Sequence, residues 1–286
     1  MPQLTKDPVA FGEKAVAAGR ERGRLCVGID PHPHLLESWG LPAGVDGLHT
    51  FTMTCVEAFV DTAAMVKPQV AFFERFGSRG FAVLEEALAA LRERGCLSLA
   101  DAKRGDIGST MAGYAEAWLG ENSPLRADAV TVSPYLGVGA LSPVFDMAEQ
   151  SGRGVFVLAA TSNPEAKALQ SLSVEGRSVA QRVVDELAER NAAVAAHGDN
   201  TAPTVGALGV VVGATLDTPP ELDQLNGPVL LPGVGAQGAT PADVRALTKT
   251  APELGFANVS RAILSRGPKV DDLRKAVIDT AAEFRD

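Results

Sequence analysis

Residues 101–106 read Asp101-Ala102-Lys103-Arg104-Gly105-Asp106, and they follow directly on the apolar run 96–100. In an extended chain, residues two apart project to one face, so Asp101 and Lys103 should stand side by side. Gly105 lets the chain turn back before Asp106. Charges at the mouth of a buried strand are costly unless they are paired. Two flanking carboxylates favour the charged form of an amine, so Lys103 is expected to be a cation at neutral pH. That suits proton donation. A Schiff-base lysine needs the opposite surroundings, apolar or cationic. The competing reading is a charge network that only ties strand ends to loops; Asp30 and Lys67, at two further strand ends, weigh against it.

A second constellation is Pro232-Gly233-Val234-Gly235-Ala236-Gln237-Gly238, followed by Ser260-Arg261. A glycine-rich loop can turn backbone N–H groups towards an anion, and Arg261 can add a bidentate contact. Gln237 can reach over as a neutral donor. The bland alternative is a flexible turn. His32 and His34 flank Pro33 beside Asp30, which invites a metal reading, but no further ligands have convincing spacing, and the alternating prolines suggest a stiff extended loop. Ser162 has no histidine partner in a defensible triad order. No GxGxxG follows the first strand and no Walker loop is present, so neither a dinucleotide nor ATP is indicated.

These residues need a scaffold. Eight short, nearly continuous apolar runs are strand candidates: 25–29, 64–66, 96–100, 129–132, 154–158, 207–212, 229–231 and 256–259. Runs of that kind mark strands covered on both faces, as in parallel sheets. Helix patterns over 8–22, 51–63, 78–94, 109–119, 144–151, 176–196, 241–249 and 271–284 alternate with them. Thr240 before Pro241 is a helix-start signal. The alternation fits an α/β fold, a (β/α)8 TIM barrel with an extra N-terminal helix, more closely than an open doubly wound sheet. No linker-like segment divides residues 1–286, so one barrel domain is expected. In such barrels chemistry sits just after the strands, where Asp30, Lys67, Asp101, Lys103, Ser162, Pro232 and Arg261 all fall.

Composition narrows the function. The chain has 286 residues, 46% hydrophobic and 21% charged, with a formal net charge of −9. The acidic balance argues against nucleic acid and an anionic membrane as partners, yet permits a small anionic ligand at a local positive site. Cys26, Cys55 and Cys96 lack metal spacing; Cys26 and Cys96, in apolar strand-like runs, read as small core residues, and a reducing cytoplasm suits them. The N-terminal residues show no basic-then-apolar leader pattern, and no apolar run approaches the ~18 residues of a membrane span.

Taken together, the residues resemble the orotidine 5'-phosphate decarboxylase family, in its longer bacterial subgroup. Asp101–Asp106 matches that family's Asp-x-Lys-x-x-Asp signature, and the extension Ile107-Gly108-Ser109-Thr110 is similar to the subgroup's. Val27-Gly28-Ile29-Asp30, Val66-Lys67-Pro68, Thr161-Ser162-Asn163-Pro164, the loop 232–238 and Val259-Ser260-Arg261 fall in the family's order. The resemblance spans about residues 24–265. It implies a cofactor-free, metal-free decarboxylation of orotidine 5'-monophosphate to uridine 5'-monophosphate, with Lys103 as proton donor framed by Asp101 and Asp106. It further implies that Asp30 and Lys67 hold the ribose, that Ser162 binds the pyrimidine and that Pro232 lines the pocket. Gln237 and Arg261 would bind phosphate with Gly233, Gly235, Gly238 and Ser260. Asp106 and Thr110 would reach a neighbouring subunit's site in a homodimer. Many relatives have glycine where Ser260 stands. The stretches 31–50 and 165–178 have no counterpart in short relatives.

Overall fold

The computed structural model describes residues 9–197, 205–235 and 237–285. Among the described residues the eight strands of the barrel are β1 Leu25–Ile29, β2 Met65–Pro68, β3 Leu97–Arg104, β4 Ala129–Val132, β5 Gly154–Ala160, β6 Leu208–Val212, β7 Val229–Pro232 and β8 Gly255–Val259. They are parallel and close in the order β1-β8-β7-β6-β5-β4-β3-β2. The open-sheet alternative is therefore excluded. Residues of every strand core are buried, as expected for strands covered by side chains inside and helices outside.

Helices alternate with the strands: α1 Phe11–Arg22, α2 Pro33–Ser38, α3 Val45–Phe59, α4 Ala71–Glu74, α5 Ser78–Glu93, α6 Gly108–Leu119, α7 Ser142–Ser151, α8 Lys167–Gln170, α9 Val179–His197, α10 Pro241–Leu247, α11 Arg261–Leu264 and α12 Val270–Ala282. The expected start of the first helix at Pro8 lies outside the described residues. Thr240 and Asp243 form a reciprocal capping box ahead of α10, with Pro241 in its first turn. The stiff extended loop expected around His32 and His34 is corrected: Pro33 opens α2, because a fixed φ suits a first helical position. The helix expected from Gly176 begins at Val179. A small antiparallel hairpin, Ser173–Val174 with Arg177–Ser178, takes the preceding residues, and Gly176 turns it at φ +80°.

Strand alternation sorts the side chains. Cys26, Met65, Leu99, Ala129, Phe156, Leu230 and Phe256 fill the barrel interior. Phe11 of α1 joins them from below, edge-on to Phe156 with ring centroids 5.9 Å apart. An ideal Cβ on Gly154, at the start of β5, would lie only 2.3 Å from Phe11, so α1 seals the end where the strands begin. Two residues further along, the same inward face carries Lys67 after Met65, Asp101 after Leu99 and Thr131 after Ala129. The interior thus changes from apolar to polar at the strands' C-terminal mouth.

Candidate active site

Asp101 is the hub. It is 7% exposed and accepts from four donors. Lys67 Nζ and Gln69 Nε2 donate to its Oδ2 at 2.7 and 2.9 Å; Lys103 Nζ and the Thr131 hydroxyl donate to its Oδ1 at 2.5 and 2.9 Å. Burial alone would raise the carboxyl pKa, but Lys67 and Lys103 outweigh it and hold Asp101 well below the usual carboxylate range. Lys67 is 3% exposed. Burial pulls its pKa down; Asp101 first and Asp30 second lift it above the ordinary lysine value. The cluster is therefore an ionised chain of alternating sign at the barrel mouth.

Lys103 differs from Lys67 in access. Its side chain is 45% exposed, so one ammonium is walled in and the other faces the opening. Its backbone has φ +48°, the left-handed region that a non-glycine residue adopts at a cost of order 1–3 kcal/mol. A bulge explains it. Ala100 pairs with Val130 and Arg104 with Val132, so the three residues Asp101–Lys103 face Thr131 alone, a surplus of two. The Lys103 N–H donates to Thr131 Oγ1 at 2.9 Å, which fixes the bulge from the side. Gln69 and Thr131 were absent from the expected site. The signal was available: each lies on the inward face at a strand end, Gln69 two residues beyond Lys67.

Asp30 follows β1. Its Oδ1 is buried and without a hydrogen-bond partner, an acceptor waiting for a donor. Asp106 stands apart. Its Oδ1 accepts the Ile107 N–H at 2.8 Å, and among the described residues no hydrogen bond or ion pair joins it to Lys103. Thr110 is exposed on the first turn of α6. Asp106 and Thr110 are thus not gathered into the cluster within one chain. His32 packs its ring on Phe72 at 4.3 Å and on His34 at 5.3 Å; burial lowers its pKa, partly offset by Asp30.

Across the mouth, Gly233, Gly235 and Gly238 have φ of +105°, +71° and +92°, values that explain why glycine recurs in this loop. The loop closes on itself: the Gly235 N–H donates to Ala239 O, that of Gly238 to Gly235 O and that of Gln237 to Gly233 O. Its amides are less free to meet an anion than a glycine-rich stretch suggests. Ser162, after β5, donates from Oγ to Gln237 Oε1 at 2.9 Å, bridging the loops after β5 and β7. Pro232 ends β7 half-buried, and its carbonyl accepts the Ala214 N–H at 2.8 Å. Arg261 opens α11 with an exposed side chain that forms no ion pair among the described residues. Ser260 precedes it; an ideal Cβ on Gly28 would come within 1.9 Å of its Oγ, so the bare glycine makes room for the serine. The 165–178 stretch, with α8 and the hairpin, walls a cleft of about 580 Å3 that reaches Ser162 and is also lined by Lys167, Arg177 and Glu221.

The arrangement offers an exposed ammonium, an orphaned carboxylate oxygen and an unpaired guanidinium around one opening. Residues 23–276 match the model of the orotidine 5'-phosphate decarboxylase / HUMPS family. The chain belongs to that family. It is similar to the orotidine 5'-phosphate decarboxylase of Corynebacterium glutamicum strain R, 60% identical over 277 residues, 96% of this chain and 98% of the relative. That of Corynebacterium efficiens is 62% identical over 276 residues, 96% of each. A crystal structure from Streptomyces avermitilis, ascribed to the same enzyme, superposes with a TM-score of 0.89 at 48% identity and covers 99% of this chain and 98% of its own. Likeness at this level over nearly the full length places the chain among the carboxy-lyases of the orotidine 5'-phosphate decarboxylase family.

Proposed function

We propose that this chain converts orotidine 5'-monophosphate to uridine 5'-monophosphate and CO2 without a cofactor, with Lys103 as the proton donor. The carrying observation is the Lys67–Asp101–Lys103 chain, in which the one ammonium open to the mouth is held by a hub that cannot easily be protonated. As the C6–CO2 bond breaks, its electron pair stays on C6. A preorganised ammonium meets that charge electrostatically and then delivers its proton to C6. One such group is worth about 3 kcal/mol in a water-poor site, by comparison with an oxyanion donor.

Asp30 and Lys67 hold ribose hydroxyls in this reading, and the orphaned Asp30 Oδ1 supplies the acceptor. Ser162 and Pro232 receive the pyrimidine. Gln237, Arg261 and Ser260 take the phosphate, with Gly233, Gly235 and Gly238 shaping the self-bonded loop that presents Gln237. Binding energy from the remote phosphate aligns the charges, so it contributes to turnover as well as affinity. A homodimer completes the site with Asp106 and Thr110 from a neighbour. Support comes from exposed apolar side chains: Ile107, next to Asp106 in the chain, is 61% exposed, and Tyr135 and Leu136, in the loop after β4, are 78% and 54% exposed. Buried free thiols at Cys26, Cys55 and Cys96 suit a reducing cytoplasm. Among the described residues no helix is long and apolar enough to cross a membrane.

The test is the loss of ultraviolet absorbance when purified protein meets orotidine 5'-monophosphate in EDTA. Lys103→Ala abolishes turnover yet keeps the affinity for uridine 5'-monophosphate within a few-fold. Arg261→Ala weakens that affinity about 10–100-fold, the worth of a charge-assisted contact. Near-normal turnover in Lys103→Ala ends the assignment.

A further inference from the structure

Arg104 sits next to Lys103 in sequence but faces the other way. Lys103 looks into the barrel mouth, whereas Arg104 enters the layer between β3 and the helices. There its guanidinium pairs with Glu74 of α4, and Nη1 donates to the Ala102 carbonyl at 2.9 Å. The same group lies over two rings of α6, 5.7 Å from the Tyr114 centroid and 5.5 Å from that of Trp118. Both distances lie within cation–π range, and the rings are one helical turn apart. The Arg104 carbonyl accepts the Ser133 N–H at 2.7 Å. Arg104 is therefore fastened by charge, by aromatic faces and by its backbone at the point where the β3 bulge rejoins β4.

We infer that Arg104 is a positioning residue: its clamp on Glu74, Tyr114 and Trp118 closes the bulge and thereby aims the Lys103 ammonium. The bulge has two supports. Thr131 holds the Lys103 N–H from inside, and the Arg104 side chain holds the other end of that same peptide, the Ala102 carbonyl, from outside. A left-handed lysine persists only when its surroundings over-determine it. With the outer support gone, the surplus residues can relax towards ordinary strand geometry and the ammonium moves. The phosphate and ribose groups stand on β1, β2, β7 and β8 and do not share this clamp.

The inference rests on Lys103 as proton donor, and the experiment separates the two ideas. Arg104→Met keeps the aliphatic stem and removes the fork. It should lower kcat about 10–100-fold, the scale of an ångström-sized misplacement, while affinity for uridine 5'-monophosphate stays within twofold of the parent. Arg104→Lys keeps charge without the planar fork and should recover only part of the loss. Glu74→Gln should lower kcat in the same direction by less, and the double variant should be no worse than Arg104→Met; should Arg104→Met fail to fold, Glu74→Gln alone decides. Unchanged kcat in the folded variants overturns the inference, as does a parallel fall in kcat and product affinity. Lys103→Ala is assayed alongside. If it stays active, the reaction assignment fails; if it is dead while Arg104→Met turns over normally, only the clamp fails.

Discussion

Replacing Asp101 with asparagine keeps the shape of the hub and removes its charge. Lys67 is 3% exposed and Asp101, at 2.7 Å, is its only hydrogen-bonded counter-charge among the described residues. Stripping one partner from a buried ion pair costs about 3–5 kcal/mol, because the other charge is stranded. Asp30 remains as a more distant anion, which favours the lower figure, about 3 kcal/mol. Against a total stability of about 5–15 kcal/mol that is a large share. At roughly 2–3 °C per kcal/mol for a chain of this size, Tm falls by about 6–9 °C. Urea unfolding followed by the fluorescence of buried Trp39 and Trp118 measures the loss directly. Its pH dependence is also set. In the parent, the lowered Asp101 pKa stabilises the fold above the ordinary carboxylate value, about 3.9, and that contribution disappears as pH falls through the lowered value. The raised Lys67 pKa contributes below the ordinary amine value, about 10.4, and is lost as pH rises through the raised value. In Asp101→Asn, burial favours a neutral Lys67, the unfolded chain binds the extra proton, and stability rises with pH towards about 10. The deficit relative to the parent therefore narrows from pH 7 upward. A loss below about 1 kcal/mol, or a deficit that widens as pH rises, would refute the buried-pair reasoning.

Gly28→Ala should destabilise the fold by about 1–3 kcal/mol through overpacking against Ser260, and Ser260→Gly in the same chain should restore most of it; equal thermal stability of Gly28→Ala and the parent counts against the contact. Subunit sharing makes a separate forecast. Mixing inactive Lys103→Ala with inactive Asp106→Ala, after partial denaturation and reassembly, should regain about a quarter of parental turnover per site, since half the molecules are hybrids with one intact site each; no regain speaks against a shared site.

The barrel was legible because two-sided burial writes itself as short apolar runs. The expected limits of β1 and β4 coincide with the observed ones, and the others shift by one or a few residues. β3 was expected to stop at Ala100 because charges follow. It continues to Arg104, since Asp101 is satisfied by Lys67, Gln69 and Thr131 and Arg104 by Glu74, partners far away in sequence. The pairing of Asp101 with Lys103 followed from two-residue alternation, although the bulge that sharpens it depends on register against β4 and left no local mark. The glycines of the 233–238 loop were recognisable, but not that the loop hydrogen-bonds to itself. The family resemblance sends Asp106 to a neighbouring subunit's site; within one chain its carboxylate accepts only the adjacent Ile107 N–H among the described residues.

Phe11 and the aromatic plug beneath the strands have a consequence for traffic. A barrel stoppered at its base has a single doorway. Under the proposed reaction the nucleotide enters by the route through which the gas must depart, so any covering that shuts over the phosphate sets the order of exit, and nothing escapes through the floor.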